Sequence, residues 1–117
     1  MTYKIAAASG DGWTVNQHFG RTSEFTILSV DDGDGSIDIL EKRCVAPPCR
    51  DGTHDVDAMQ AAAQALSDCD YLLASRVGPG AAVCLEEAGV APYELPGSIE
   101  DAVEKLLNYI EIQKLLS

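Results

Sequence analysis

The sequence predicts an α/β fold, a mixed sheet of about five strands with helices on both faces. Three observations carry this. Short apolar runs at 3–8, 24–30 and 36–42 come first, the last two joined by the strong turn signal Asp31-Asp32-Gly33-Asp34-Gly35. Strand-like and helix-like segments then alternate to the end of the chain. The 117 residues, 46% hydrophobic, suffice for one domain with a proper core and are too few for two ordinary ones. The expected order is β-β-β-α-β-α-β-α, and 1–117 is expected to be a single domain.

The first strand, Tyr3 to Ala8, is mostly apolar and is ended by Gly10 and Gly12. The second covers 24–30. In the third, Ile37 and Ile39 alternate with polar residues and are expected on one face. Pro47-Pro48 can continue neither a ladder nor a helix, so Arg43 to Asp51 is expected to be a loop. Thr53 or Asp55 can cap a helix to about Leu66, with Val56, Met59, Ala63 and Leu66 at helical spacing. Asp70 to Ser75 is a buried-strand candidate. A second helix is expected from about Gly80 to Ala88, with Gly89 suited to the position just past its end. Val90 to Glu94 is a short strand. Ser98, with Asp101 three residues on, starts a final helix whose apolar positions are Val103, Leu106, Leu107, Ile110 and Ile112, running on towards Leu115 and Leu116. In such sheets ligands sit at the carboxyl ends of parallel strands, where the loop after strand one, the Arg76–Gly80 loop and the Cys49 loop would meet.

Acidic side chains outnumber basic ones 19 to 8, and with no Lys/Arg stripe nucleic acid is an unsuitable partner. An anion could still be held locally by Arg21, Arg43, Arg50 or Arg76. No run has the length of a membrane span and no secretion signal is visible, so the expected compartment is the cytoplasm. There the four cysteines, Cys44, Cys49, Cys69 and Cys84, are expected to be reduced thiols, with Cys69 and Cys84 in the core.

Three stretches carry possible chemistry. Val15-Asn16-Gln17-His18-Phe19-Gly20-Arg21 places an imidazole on a loop between strands, beside a glycine that lets backbone approach a ligand. One histidine without partners is also what a plain connecting loop contains. Ser75-Arg76-Val77-Gly78-Pro79-Gly80 exposes amides at a helix N-terminus, an anion-binding element or an ordinary strand–helix turn. Cys44 and Cys49 share a proline-stiffened loop, with His54 five residues on; thiolate and imidazole suit soft metals and iron–sulfur clusters, though four ligands normally close such a site. No Gly-x-Ser-x-Gly, His-Glu-x-x-His or converging set of acids appears, so no self-sufficient catalytic apparatus is expected and the chain is read as a non-enzyme.

Several pieces taken together resemble a known family. They are the His18 loop with Glu24-Phe25, Glu41-Lys42-Arg43, Pro48-Cys49 with Gly52, Leu66-Ser67-Asp68-Cys69-Asp70, Val77-Gly78, Leu85 to Val90 and Ile99 to Val103. The pattern resembles the dinitrogenase iron–molybdenum cofactor biosynthesis family of nitrogen fixation (NifX, NafY and the C-terminal domain of NifB) across essentially the whole chain. The resemblance implies a ribonuclease H-like α/β fold without nuclease function. It further implies a carrier of iron–molybdenum cofactor, its iron–sulfur precursor or another molybdenum-containing sulfide cluster, exchanged with cofactor-assembly or redox proteins. The metal ligand the resemblance implies is His18; from the chemistry of the cysteine loop, Cys49 and Cys44 are expected to contribute thiolate. Phe19, Gly20, Arg21, Gly78 and Gly80 complete the expected cofactor-binding set. Where NifB-like loops carry a further cysteine, this chain has Gly52-Thr53-His54-Asp55, and it lacks the Cys-x-x-x-Cys-x-x-Cys of a radical-SAM domain, so the NifB reaction is not expected of it. The alternative is a metal-free regulatory or interaction protein that contacts a nitrogenase or redox enzyme. A thiol redox enzyme using Cys44 and Cys49 is disfavoured by the prolines and four-residue gap between them.

Overall fold

The computed structural model describes residues 1–47, 49–50, 53–54 and 56–116, with 49–50 and 53–54 described as backbone only. Five strands form the main sheet: β1 (Thr2–Ala8), then, past a two-residue β2 (Thr14–Val15), β3 (Glu24–Asp31) and β4 (Ile37–Cys44), followed later by β7 (Tyr71–Ala74) and β8 (Ala91–Glu94). Between them lie β5 (Cys49–Arg50), β6 (Thr53–His54) and helices α1 (Val56–Ala65) and α2 (Pro79–Glu87). The chain closes with β9 (Gly97–Ser98) and α3 (Ile99–Leu116). The sheet order is β4-β3-β1-β7-β8. β3 is antiparallel to β1 and to β4, whereas β7 is parallel to both β1 and β8. β1, β4, β7 and β8 therefore all end at one edge of the sheet.

Alternation along the central strands divides the core in two. Ala6, Ala8, Phe25, Ile27, Leu72 and Ala74 face α1 and α2, meeting Met59, Ala63, Leu66 and Leu85. Ile5, Ala7, Leu28, Val30 and Leu73 face α3, meeting Ile99, Val103, Leu106 and Ile110. Helices thus cover both faces, because a sheet apolar on both sides must bury both.

Local signals act as their chemistry requires. Ser98 accepts the Asp101 amide through its hydroxyl at 3.1 Å, capping α3. Gly89 takes φ +87° just past α2, a conformation glycine adopts without cost. Four features depart from the expectation. Arg43 and Cys44, expected in a loop, continue β4 opposite Phe25 and Glu24, and Cys49–Arg50 pair as a strand with Thr53–His54. The third strand is an edge strand, so Ile39 stands 61% exposed while Ile37 is half-buried against the α3-side core. Its register shifts opposite Ile27 and Leu28, leaving Leu40 as an extra, exposed residue. In α3 the apolar stripe leaves the core after Ile110, so Ile112, Leu115 and Leu116 are exposed. Among the described residues, no helix is long and apolar enough to cross a membrane.

Candidate functional site

The loop after β1 straddles the carboxyl edge of the sheet. Val15 is buried in the α3-side core and Phe19 in the α1/α2-side core, four residues later. The segment between them must pass over the strand ends. At its start the Asn16 and Gln17 amides both donate to the carbonyl of Ala8, the last residue of β1. The loop is then tied to the segment following β7: the Ser75 amide donates to the Gln17 carbonyl at 3.0 Å, and the Phe19 amide donates to the Arg76 carbonyl at 2.9 Å. His18 and Arg76 form a parallel bridge between those two bonds. The expected meeting of the two loops therefore occurs through the backbone.

His18 begins a 3-10 turn, Phe19–Arg21, and its carbonyl accepts from the Arg21 amide (3.1 Å) and the Thr22 hydroxyl (2.6 Å). Thr22 is fully buried, so a short polar residue locks the turn from inside. The His18 side chain is exposed, and among the described residues its imidazole meets no hydrogen-bond or ion-pair partner. Phe19 is fully buried, its ring tilted against Phe25 with centroids 5.9 Å apart. It anchors the loop from below and has no surface to offer a ligand. Gly20 lies within the turn, half-buried.

The fates of the basic residues separate. Arg43, one of the arginines weighed as an anion site, is occupied: it bonds Glu41 at 2.7 Å, Asp68 at 2.7 and 3.0 Å, and the Ala65 carbonyl at 3.0 Å. Its guanidinium and the Lys4 ammonium, 2.6 Å away, hold the Asp68 carboxyl well below the usual carboxylate range. Arg21 and Arg76, by contrast, are exposed and make no ion pair among the described residues. In a chain of formal charge −11, two guanidinium-bearing residues without an ion pair among the described residues thus flank His18. Arg50 is described only in its backbone.

The remaining expected site residues are more dispersed. Cys44 ends β4 as an exposed free thiol at the same sheet edge, two strand spacings or roughly 10 Å from β1. The Cys49 and Arg50 backbone lies against the 3-10 turn and pairs with β6, Cys49 opposite His54. The side chains of Cys49 and His54, and the neighbours Pro48, Asp51, Gly52 and Asp55, lie outside the described residues. Gly78 is the exposed N-cap of α2. Gly80 looks towards Met59 of α1, where an added Cβ would meet its side chain at 3.7 Å. The amide of Val77 is already taken by the Glu94 carboxylate at 2.9 Å, so one donor of this turn is spent on an internal anion. Cys69 and Cys84 are buried in the core, and burial pushes the Cys69 thiol up to about 11.

Trp13, the one tryptophan, was not singled out by sequence reasoning, yet it is 77% exposed on this loop. Its backbone is clamped on both sides. The Asp11 carboxylate accepts the amides of Trp13 and Thr14 at 2.8 Å each, and the Trp13 carbonyl accepts the Ile99 amide at 2.8 Å. Those two amide bonds hold the Asp11 carboxyl down at about 2. The signal was an Asp followed by glycine, ahead of the paired Thr14–Val15 strand, a local turn whose rigidity depends on β9 far along the chain.

Chemically, the edge offers one open imidazole, two cationic side chains and, from β4, an accessible thiol. Imidazole and thiolate are ligands for soft metals, and guanidinium groups offset the charge of an anionic sulfide. Among the described residues no group of three or more His, Cys, Asp and Glu side chains converges as a metal-ion site.

A family model described as "Dinitrogenase iron-molybdenum cofactor" matches residues 1–109. The FeMo cofactor biosynthesis protein NifB of Frankia alni is 34% identical over 105 residues, which is 87% of this chain and 20% of that protein. NifB of Chlorobaculum tepidum is 32% identical over 99 residues, 85% of this chain and 22% of its own length. The chain thus spans about a fifth of the NifB relatives it matches. Among solved structures, the apo form of the orange protein from Desulfovibrio gigas superimposes with a TM-score of 0.57 at 26% identity, covering 91% of this chain and 88% of that one. On the extent of the family match, the chain belongs to the dinitrogenase iron–molybdenum cofactor family.

Proposed function

We propose that the chain is a small carrier that binds an iron–molybdenum cofactor, its iron–sulfur precursor or a related metal–sulfur cluster at the His18 edge and passes it to cofactor-assembly or redox proteins. The observation that carries this reading is the juxtaposition of exposed His18 with uncommitted Arg21 and Arg76, held by the Phe19–Arg76 and Ser75–Gln17 backbone bonds. Family membership supports this class of cargo, and the role of the NifB relatives in FeMo cofactor biosynthesis points the same way. His18 acts as the principal ligand. Cys49, whose strand lies against the same turn, and Cys44 contribute thiolate. An exposed ligand on a surface turn suits release as well as capture.

The finer fold assignment belongs to this reading too. A central β1 between antiparallel β3 and parallel β7, with helices on both faces, is read as ribonuclease H-like. The carrier acts without catalysis, in the cytoplasm, and engages neither nucleic acid nor membrane.

The test is anaerobic loading. Purified protein mixed with an iron–sulfur or molybdenum–sulfide cluster is desalted, then measured by metal analysis and visible absorption. Retained metal and colour, reduced at least tenfold by His18→Ala, are expected. Protein that sheds the cluster, with His18→Ala behaving identically, overturns the proposal and favours a metal-free interaction role.

A further inference from the structure

We infer that the β4 edge of the sheet is an interface between two copies of this chain, their β4 strands pairing antiparallel about a two-fold axis so that the two sheets become one. The interface does not depend on a bound cluster. The two edges of the sheet are protected to different degrees. β8 has only four residues, and one is Pro92, which has no amide to donate. β4 has eight residues and no proline, and among the described residues only β3 pairs with it. It exposes Ile39 and Leu40, which stand 61% and 52% open to solvent. An edge of this length with apolar residues on show is a template for another strand.

Geometry and charge together select a second copy as that strand. Residues paired across the axis must share a face of the joined sheet. In an unbroken strand of even length, full overlap would pair residues from opposite faces. The bulge in β4 removes this conflict. Before it, Ile37 and Ile39 pair with Val30 and Leu28, so they lie on the α3 face and Asp38 on the other. Beyond it, Glu41 and Arg43 pair with Ile27 and Phe25, so they lie on the α1/α2 face, with Lys42 and Cys44 on the α3 face. An axis between Leu40 and Glu41 therefore overlaps all eight residues and matches faces on both sides of the bulge. It sets Ile39 against Lys42 of the second copy, whose alkyl stem covers it, and Asp38 against Arg43. Asp38 has no ion pair among the described residues. Arg43 keeps one of its five N–H groups beyond its four bonds to Glu41, Asp68 and Ala65. Moving the axis to between Ile39 and Leu40 would instead set Asp38 against Glu41 twice, two like-charge pairs. The strand's own charges, Asp38, Glu41, Lys42 and Arg43, cancel in a chain of formal charge −11, so the meeting strands add no net repulsion.

The experiment is sedimentation equilibrium on the full chain, reduced and free of metal, from a few micromolar to roughly 500 µM. A monomer–dimer equilibrium is expected, with weak affinity because paired edges alone bury a small interface. Ile39→Lys sets like charges opposite Lys42 twice and should weaken association at least tenfold. Ile39→Lys/Lys42→Glu turns both contacts into opposite-charge pairs and should restore it. Ile39 is exposed and Lys42 makes a 3.7 Å ion pair with Glu24, so neither change should alter circular dichroism. Val83→Lys, the same kind of change on the exposed side of α2, should leave association within about twofold. A monomer throughout, a dimer indifferent to Ile39→Lys, equal weakening by Val83→Lys, or a dimer lost in Ile39→Lys and not regained in the double variant would each overturn the proposal.

Discussion

The Phe19 amide donates to the Arg76 carbonyl at 2.9 Å, coupling the turn that presents His18 to the segment leaving β7. Phe19 itself is buried to 0% exposure, so a single residue supplies both the backbone tie and the apolar plug beneath an exposed ligand candidate. Adjacent residues consequently have opposite sensitivities. Phe19→Ala should destabilise the fold by about 3–5 kcal/mol, the usual range for emptying an aromatic core position. His18→Ala should change stability by less than about 0.5 kcal/mol, as at surface positions generally. Urea denaturation of the two variants checks this. A large loss in His18→Ala would mean that the imidazole has a structural role.

Gly80 separates two readings of the α2 N-terminus. If its backbone must touch a bound cluster, a methyl group there is harmful. If it is merely a helical residue facing Met59, where a Cβ would make ordinary contact at 3.7 Å, the methyl group is welcome. Gly80→Ala should stabilise the protein by about 0.5–1 kcal/mol from helix propensity. Thermal denaturation reads the first effect and cluster retention the second. Retention that falls with stability intact would assign Gly80 to the cargo site.

How far the sequence could be read depends on the range of the interaction. Ser98 and Gly89 are local signals, legible because capping needs only neighbouring residues. The short apolar runs at 3–8 and 24–30 were enough to place the buried strands. What stayed hidden was long-range. Ile39 reads as sharing one face with Ile37, but β4 is the sheet's edge strand and Ile39 is exposed there. Arg43 reads as an available cation until Asp68 and Glu41 are seen beside it. The two-residue strands Thr14–Val15 and Gly97–Ser98 are too short to show a period, yet they fix the loop that carries Trp13. The His18 motif was visible throughout. The meeting of its loop with the Arg76–Gly80 loop was legible too, but the pairing of His18 with Arg76 itself was not, because it depends on the register of β1 against β7.

Asp68 joins three elements, since Arg43 comes from β4, Lys4 from β1, and Asp68 itself follows α1. Its carboxyl is depressed by both cations, Arg43 first. A depressed carboxylate stabilises the fold above its unfolded value near 4, and that stability is lost as pH falls below it. Asp68 is 45% exposed, so solvent screening limits the contribution. Asp68→Asn should cost about 1 kcal/mol at pH 7, and the cost should shrink as pH falls below about 4, vanishing only below the depressed value of the folded carboxyl. Urea midpoints taken from pH 7 down to about pH 2 test this, and a difference that does not shrink across that range would point to packing instead.

Asp11 provides the sharpest pH prediction, because its acceptor bonds are to two specific amides. Its carboxyl, ordinarily near 3.8, sits at about 2 through the bonds from Trp13 and Thr14, with the Ser9 hydroxyl assisting at 3.1 Å. Being lowered, it holds the loop fully above about pH 4 and releases it as pH falls through 2, not as pH rises. The Trp13 and Thr14 amide resonances should therefore titrate together with a midpoint near 2. Asp11→Asn abolishes that titration, and exchange of both amides should quicken several-fold at pH 7 because a neutral amide oxygen is the weaker acceptor. The Trp13 side chain is already exposed, so its emission wavelength should barely move, whereas its anisotropy should fall as the clamp opens. A midpoint near 4 would mean that the carboxylate is not engaged. Loop order persisting below pH 2 would mean that the Ile99–Trp13 bond is sufficient to hold the loop by itself.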